Sequence, residues 1–313
     1  MKSPTTATGP ATTAGKTGKA RKAGKSRKAG KAGAATTTAV RTGFSRGLIE
    51  LRQAFAGFEL VNQLLWPVAT LTAVFFLRDR EFRDTGFALG TLVMPGVLGM
   101  FIALGMILVM QYLTVEREDG TLLRARTLPH GIRGYFLGKL VTTSGSVLVY
   151  LAILLIPGAF IVDGLRLDSA GSWLTLAWVV MLGLLGTQSL GAVFGALASN
   201  PRAAGVMSLP VMGLIGVSGI FYPITALPDW LQGIAQVFPV YWLGLGMRSA
   251  LLPQDMAAVE IGQSWRHLET LGVLGAWALL GLVLAPVVLR RMARRQSGSR
   301  VAAYRDAALQ RVG

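Results

Sequence analysis

The chain has no cysteine, which rules out a disulfide framework, a thiolate metal site and a cysteine nucleophile, and leaves the redox compartment unmarked. Histidine is nearly as scarce. His130 and His267 are the only two, both between apolar runs, and a metal or catalytic centre needs more converging groups than that. No metal site and no catalytic residue is therefore expected. Charged residues make up only 15% of the chain, and the central portions of its apolar runs contain no Asp, Glu, Lys, Arg or His. Ionisable side chains in a bilayer are costly and mark proton relays and ion sites, so this absence argues against a proton-coupled carrier. Nothing in the composition suggests a large water-soluble catalytic domain.

What is present is apolar and arranged in blocks. Hydrophobic residues make up 52% of the chain and the mean hydropathy is +0.52. They gather into runs at 60–77, 86–113, 140–162, 174–198, 206–226 and 268–289. A helix rises about 1.5 Å per residue and a hydrocarbon core is about 30 Å thick, so around twenty residues cross it. The pattern predicts an all-α polytopic membrane protein with six transmembrane helices. Gln111, near a span end, and Gln188 are the notable polar exceptions. Glycine pairs at Gly86/Gly90, Gly191/Gly195 and Gly213/Gly216/Gly219 suit close helix packing.

Residues 1–40 differ in kind. They carry nine Lys or Arg with no acid and no aromatic, too little apolar surface to offset ordering entropy, and a disordered cytoplasmic tail is expected. Its natural contact is anionic lipid head groups; no nucleic-acid partner is expected. No apolar core follows the charges, so the segment does not read as a signal peptide. Gly9 to Thr17 imitates a phosphate-binding loop but has five residues between its glycines where such loops have four. It also lacks a preceding strand, so no nucleotide site is expected in this chain. The expected organisation is a basic tail at 1–40, a transmembrane domain at 41–295 and a cytoplasmic tail at 296–313.

Positive charge sets the expected orientation. With six spans, the side holding both termini carries 25 of the 31 Lys and Arg, against 6 on the other. Without residues 1–40 the split is 16 to 6. The positive-inside rule then places both termini in the cytoplasm of a multi-pass cell-membrane protein. Ahead of the first span, Phe44, Leu48, Leu51, Phe55 and Phe58 recur at helical spacing, with Arg46, Glu50 and Gln53 on other faces. This predicts an amphipathic helix in the interface, an Arg46–Glu50 pair, and a bend near Gly57 and Glu59.

Two segments carry a more specific signal. The connection between the second and third runs reads Glu116-Arg117-Glu118-Asp119-Gly120-Thr121-Leu122-Leu123-Arg124, ending at Thr127-Leu128-Pro129. At the end of the fifth run comes Gly219-Ile220-Phe221-Tyr222-Pro223, followed by Leu227-Pro228-Asp229-Trp230-Leu231 and Phe238-Pro239. With the order of the spans, these resemble the permeases of ABC-2 type exporters over about residues 41–295, particularly actinobacterial drug-resistance permeases of the daunorubicin type. The basic tail and Leu128, which separates Thr127 from Pro129, depart from the family pattern.

The resemblance implies several expectations. Glu116, Arg117, Glu118, Gly120, Thr121 and Arg124 would couple this chain to a separate ATP-binding subunit, where ATP and magnesium would bind. Phe221, Tyr222, Pro223, Pro228, Trp230 and Pro239 would form an outer re-entrant hairpin or gate, Pro228 and Asp229 opening a short helix that Phe238-Pro239 stops. Trp230, Phe238, Tyr241 and Trp242 suit the membrane interface, and Arg248 reads as a side chain snorkelling to it. A second permease copy, membrane lipids and a small hydrophobic or amphiphilic substrate complete the expected partners. The chain itself would be no enzyme but the transport subunit of an exporter, for a drug or antibiotic. Export of a polysaccharide or lipid-linked glycan stays open, as do a stand-alone carrier and a structural or signalling role.

Overall fold

Backbone surrounded by lipid must satisfy its own hydrogen bonds, and a helix does so within one segment. The computed structural model describes residues 38, 40–80, 88–127, 131–198 and 200–295, and those residues form an all-helical fold. The expected disordered tail (all but two of its residues), Gly86, Pro129, His130 and the tail at 296–313 lie outside the described residues.

Helix α1 (40–54) ends in a turn at Gly57, φ +62°, before α2 (Glu59–Leu77). There follow α3 (Leu89–Glu118), the short α4 (Thr121–Thr127), α5 (Gly131–Ile161), α6 (Ala170–Leu197) and α7 (Pro201–Val217). A short 3-10 turn leads to α8 (Asp229–Val237), α9 (Pro239–Leu251) and, after further 3-10 turns, α10 (His267–Arg295). Helices α2, α3, α5, α6 and α10 are long and apolar enough to cross a membrane.

The fifth expected run folds differently. Asn200 caps α7 by accepting from the Ala203 N–H at 2.8 Å, and Pro201 occupies the first turn, so the helix starts earlier than hydropathy suggests. It ends at Val217, and Gly219 turns the chain at φ +67°. Seventeen residues reach about 25 Å, short of a hydrocarbon core of about 30 Å. The apolar residues after Val217 form a turn rather than more helix.

Helix α3 lies at the centre, packed against α6, α9, α5 and α7. Its contact with α6 is close because Gly191 has no side chain: a Cβ there would collide with the Met106 carbonyl. Gly195 is similarly tight against Met110, whereas Gly213 and Gly216 face open space. Between spans, Thr143 and Ser144 of α5 donate to Gln188 Oε1 of α6 at 2.8 and 3.0 Å, so the lone mid-span amide joins two helices.

Candidate functional site

At the end of the bundle where α3 meets α4, the positions of the charges follow from helix register. Residues 43, 47 and 50 of α1 share one face, and Gly43 and Gly47 bring the α1 backbone against Gly134 and Gly138 of α5. That contact seats Glu50 beside Lys139, whose Nζ lies 2.6 Å from Glu50 Oε2 and is also paired with Glu116 Oε1. The expected Arg46–Glu50 pair is formed at 2.8 Å, and Thr142 donates to Glu50 at 3.3 Å. Lys139 also stands over the Tyr112 ring, 5.0 Å from its centroid. A single lysine, its side chain 5% exposed, thus ties α1 and α3 to α5. Burial alone would raise the Glu50 pKa. Hydrogen bonds from Lys139 and Arg46, together with their charges, outweigh that and hold the carboxyl below its ordinary value.

The six residues assigned to coupling do not share one surface. Glu116 turns inward to Lys139. Arg117 also turns inward, its Nη1 donating to the Ala198 carbonyl at 2.6 Å and tying α3 to the end of α6. Glu118 is half-buried, with Oε1 unpartnered among the described residues. Gly120 is buried at φ +74°, the left-handed turn that separates α3 from α4. Thr121 opens α4, while Leu122 and Ala125 anchor it in an apolar cluster with Ile132, Tyr135 and Phe136. Arg124 lies on the exposed side. The anchored α4 therefore presents Arg124 to solvent beside the exposed Asp119 at the end of α3, while Glu116 and Arg117 fasten α3 to α5 and to the end of α6.

Lys139 and Glu50 are the members of this cluster that sequence reasoning missed as functional. A lysine beside an apolar run looks like a loop charge. The available signal was the Gly43, Gly47, Glu50 face opposite Gly134, Gly138 and Lys139.

The hairpin occupies the opposite end. Pro228 caps α8, its carbonyl accepting from the Leu231 and Gln232 N–H groups at 2.9 and 3.1 Å, and Phe238-Pro239 ends that helix as expected. Tyr222 donates its hydroxyl to the Gly216 carbonyl at 2.8 Å, Pro223 precedes the 3-10 turn, and Trp230 is 67% exposed on α8. Phe221 is half-buried against the core, and Pro239 is buried.

Entry into the core comes later than the sequence suggests. It is α9, after Pro239, that is surrounded by protein, while α8 stays on the surface. Tyr241 and Trp242 are therefore not interfacial: both are buried in the α9 core, with Trp242 Nε1 donating to the Gln236 carbonyl at 2.7 Å. Arg248 does not snorkel either. Its side chain is 4% exposed and lies 2.8 Å from Glu260. The aromatic spacing that suits an interface serves equally well for a helix packed on every side, and hydropathy alone does not separate the two.

Trp277 and Arg266 fasten this end. Trp277 Nε1 donates to the Val237 carbonyl at 2.9 Å, and Arg266 Nη1 donates to Gln236 Oε1 at 2.8 Å. Among the described residues no group of three or more His, Cys, Asp or Glu is placed to hold a metal ion.

Comparison with known proteins shows the family. Residues 71–286, from within α2 to within α10, match the family described as ABC-2 family transporter protein. The daunorubicin resistance ABC transporter permease protein DrrB1 of Streptomyces coeruleorubidus is 26% identical over 219 residues, which is 66% of this chain and 75% of that protein. The putative transport permease YvfS of Bacillus subtilis strain 168 is 28% identical over 133 residues, covering 42% of this chain and about half, 53%, of its own length. The match runs through the central helices and the hairpin alike. This chain therefore belongs to the ABC-2 family of transporter proteins, as a membrane subunit of an ABC transporter.

Proposed function

We propose that the chain is the membrane-spanning subunit of an ATP-driven exporter that carries a hydrophobic or amphiphilic small molecule, a drug or antibiotic, out of the cell. The observation that carries the reading is α4 at the end of α3. A short helix with an apolar inner face and an exposed Arg124 sits between two long spans, set off by the Gly120 turn. A soluble subunit docking there and changing shape would push on α3 and α5 directly. Membership of the family supports an ATP-binding partner, which would hold ATP and magnesium. The name of the Streptomyces relative supports a drug as cargo.

In this reading the α1 and α4 end is cytoplasmic, as the positive-inside rule requires, and two copies of the chain form the path. Transport is movement between helix faces, with no covalent step in this chain. The spans carry apolar walls, which suit an amphiphile better than an ion. Inside-out vesicles given an amphiphilic fluorescent dye in the outer medium test the reading. Uptake should require ATP and survive collapse of the proton gradient. Uptake that follows the proton gradient and ignores ATP would contradict it.

A further inference from the structure

A pocket opens at the hairpin end, lined by Leu92, Phe221, Tyr222, Arg248, Glu260 and Trp265 among others. Within its lining Arg248 Nε faces Glu260 Oε1 at 2.8 Å, their side chains 4% and 0% exposed. Arg248 Nη1 also donates to the Gly219 and Ile220 carbonyls, each at 3.1 Å. These residues follow the end of α7 and have left its hydrogen-bond ladder. Ile220, fully buried, is seated among Gly96 and Gly99 of α3 and Gly244 of α9. One arginine therefore holds the hairpin turn in a notch cut from glycines.

The remaining polar capacity at this point is met by no described protein group. Among the described residues, Arg248 Nη2, Glu260 Oε2 and Trp265 Nε1 are buried without a protein hydrogen-bond partner, and Nε and Oε1 attract as charges without a well-directed hydrogen bond. A buried charge pair satisfied only in part carries a desolvation cost that its attraction does not fully offset. Water reaching the pocket would supply the missing partners, which narrows the energy gap between the closed turn and an opened, hydrated one. A fully satisfied pair would not behave so.

We infer that Arg248 and Glu260 form a hydration-released latch that keeps the turn at residues 219–220 shut against α3 and α9 and lets go as water enters. Calling this the outer gate rests on the exporter reading; the latch itself does not. The absence of cysteine from the chain makes single-cysteine labelling a clean test. An Ile220→Cys reporter in the full chain is exposed to a membrane-impermeant maleimide added outside cells. Its rate is normalised to Asp168→Cys, an exposed position in the α5–α6 connection.

Glu260→Gln, which removes the charge holding Arg248, should raise the normalised rate at least about tenfold. Arg248→Lys keeps the charge but loses the forked reach to two carbonyls and the carboxylate, and should give an intermediate rate. An excluded osmolyte, sucrose, should slow the reporter in the otherwise native chain, because opening takes up water. Equal normalised rates in all three backgrounds would overturn the latch. If Glu260→Gln is not inserted, shown by loss of the Asp168→Cys signal, the Arg248→Lys and sucrose results decide alone. If Asp168→Cys is silent in every background, the proposed orientation is wrong, and the same rates are then read on purified chain. The readout needs neither ATP nor substrate, so its failure leaves the exporter reading standing.

Discussion

Lys139 carries one positive charge between two carboxylates from different helices, Glu50 and Glu116. Lys139→Met would leave those carboxylates half-buried and facing one another, and removing one member of a buried ion pair typically costs about 3 to 5 kcal/mol. Thermal unfolding of the purified chain should show a loss at the lower end of that range, partly recovered when Glu116→Gln is added. An unchanged unfolding temperature would remove the clasp from the account. Glu50 gives the pH signature. Its folded pKa is lowered, so its contribution is present above the ordinary carboxylate value of about 4.5 and is lost as the pH falls through the lower folded value. Stability measured from neutral pH down to about pH 3 should therefore fall less steeply on the acid side for Glu50→Gln than for the native chain. Sequence reasoning reached the Arg46–Glu50 pair because it is local. Lys139 lies 89 positions beyond Glu50, and no periodicity reports a contact across that distance.

Helix contacts here depend on where glycine sits. Gly191 and Gly195 let α6 lie against α3, and Gly43 and Gly47 let α1 lie against α5, whereas a Cβ on Gly213 of α7 would meet nothing within 4 Å among the described residues. Gly191→Val should destabilise the fold by at least about 2 kcal/mol through overpacking against the Met106 backbone. Gly213→Val should stay within about 0.5 kcal/mol. Unfolding in detergent separates the two, and equal effects would contradict the packing described. The short helix α4 makes a separate prediction. Because Arg124 is exposed while Glu116 and Arg117 are turned inward, Arg124→Glu should weaken association with the ATP-binding partner without changing stability. Glu116→Lys should lower stability itself. Pull-down yield measured alongside unfolding temperature checks both, and normal partner yield with Arg124→Glu would move the docking surface elsewhere. The start of α8 was readable because the capping chemistry at Pro228-Asp229 is local, whereas hydropathy placed the start of α7 at 206, beyond its cap at Asn200 and Pro201. The end of α7 was not readable either, because the residues beyond Val217 are as apolar as those before it.

For the molecule as a whole, hydropathy and glycine content were sufficient to expect an all-helical membrane protein, since lipid-facing backbone has few other solutions. The same signals were blind to α9. A helix buried on every side and a segment resting in the interface share one composition, and only the contacts of Tyr241, Trp242 and Arg248 distinguish them. The family match now joins the α4 end and the hairpin in one transporter subunit, and the account holds that this subunit works through a soluble ATP-hydrolysing partner docked at α4. The most direct measurement is purification of the tagged full chain from its native membrane in mild detergent, with mass spectrometry of what copurifies. The account predicts an ATP-binding subunit near one copy per chain, lost on Arg124→Glu. A folded, oligomeric chain that brings down no ATP-binding protein would contradict it.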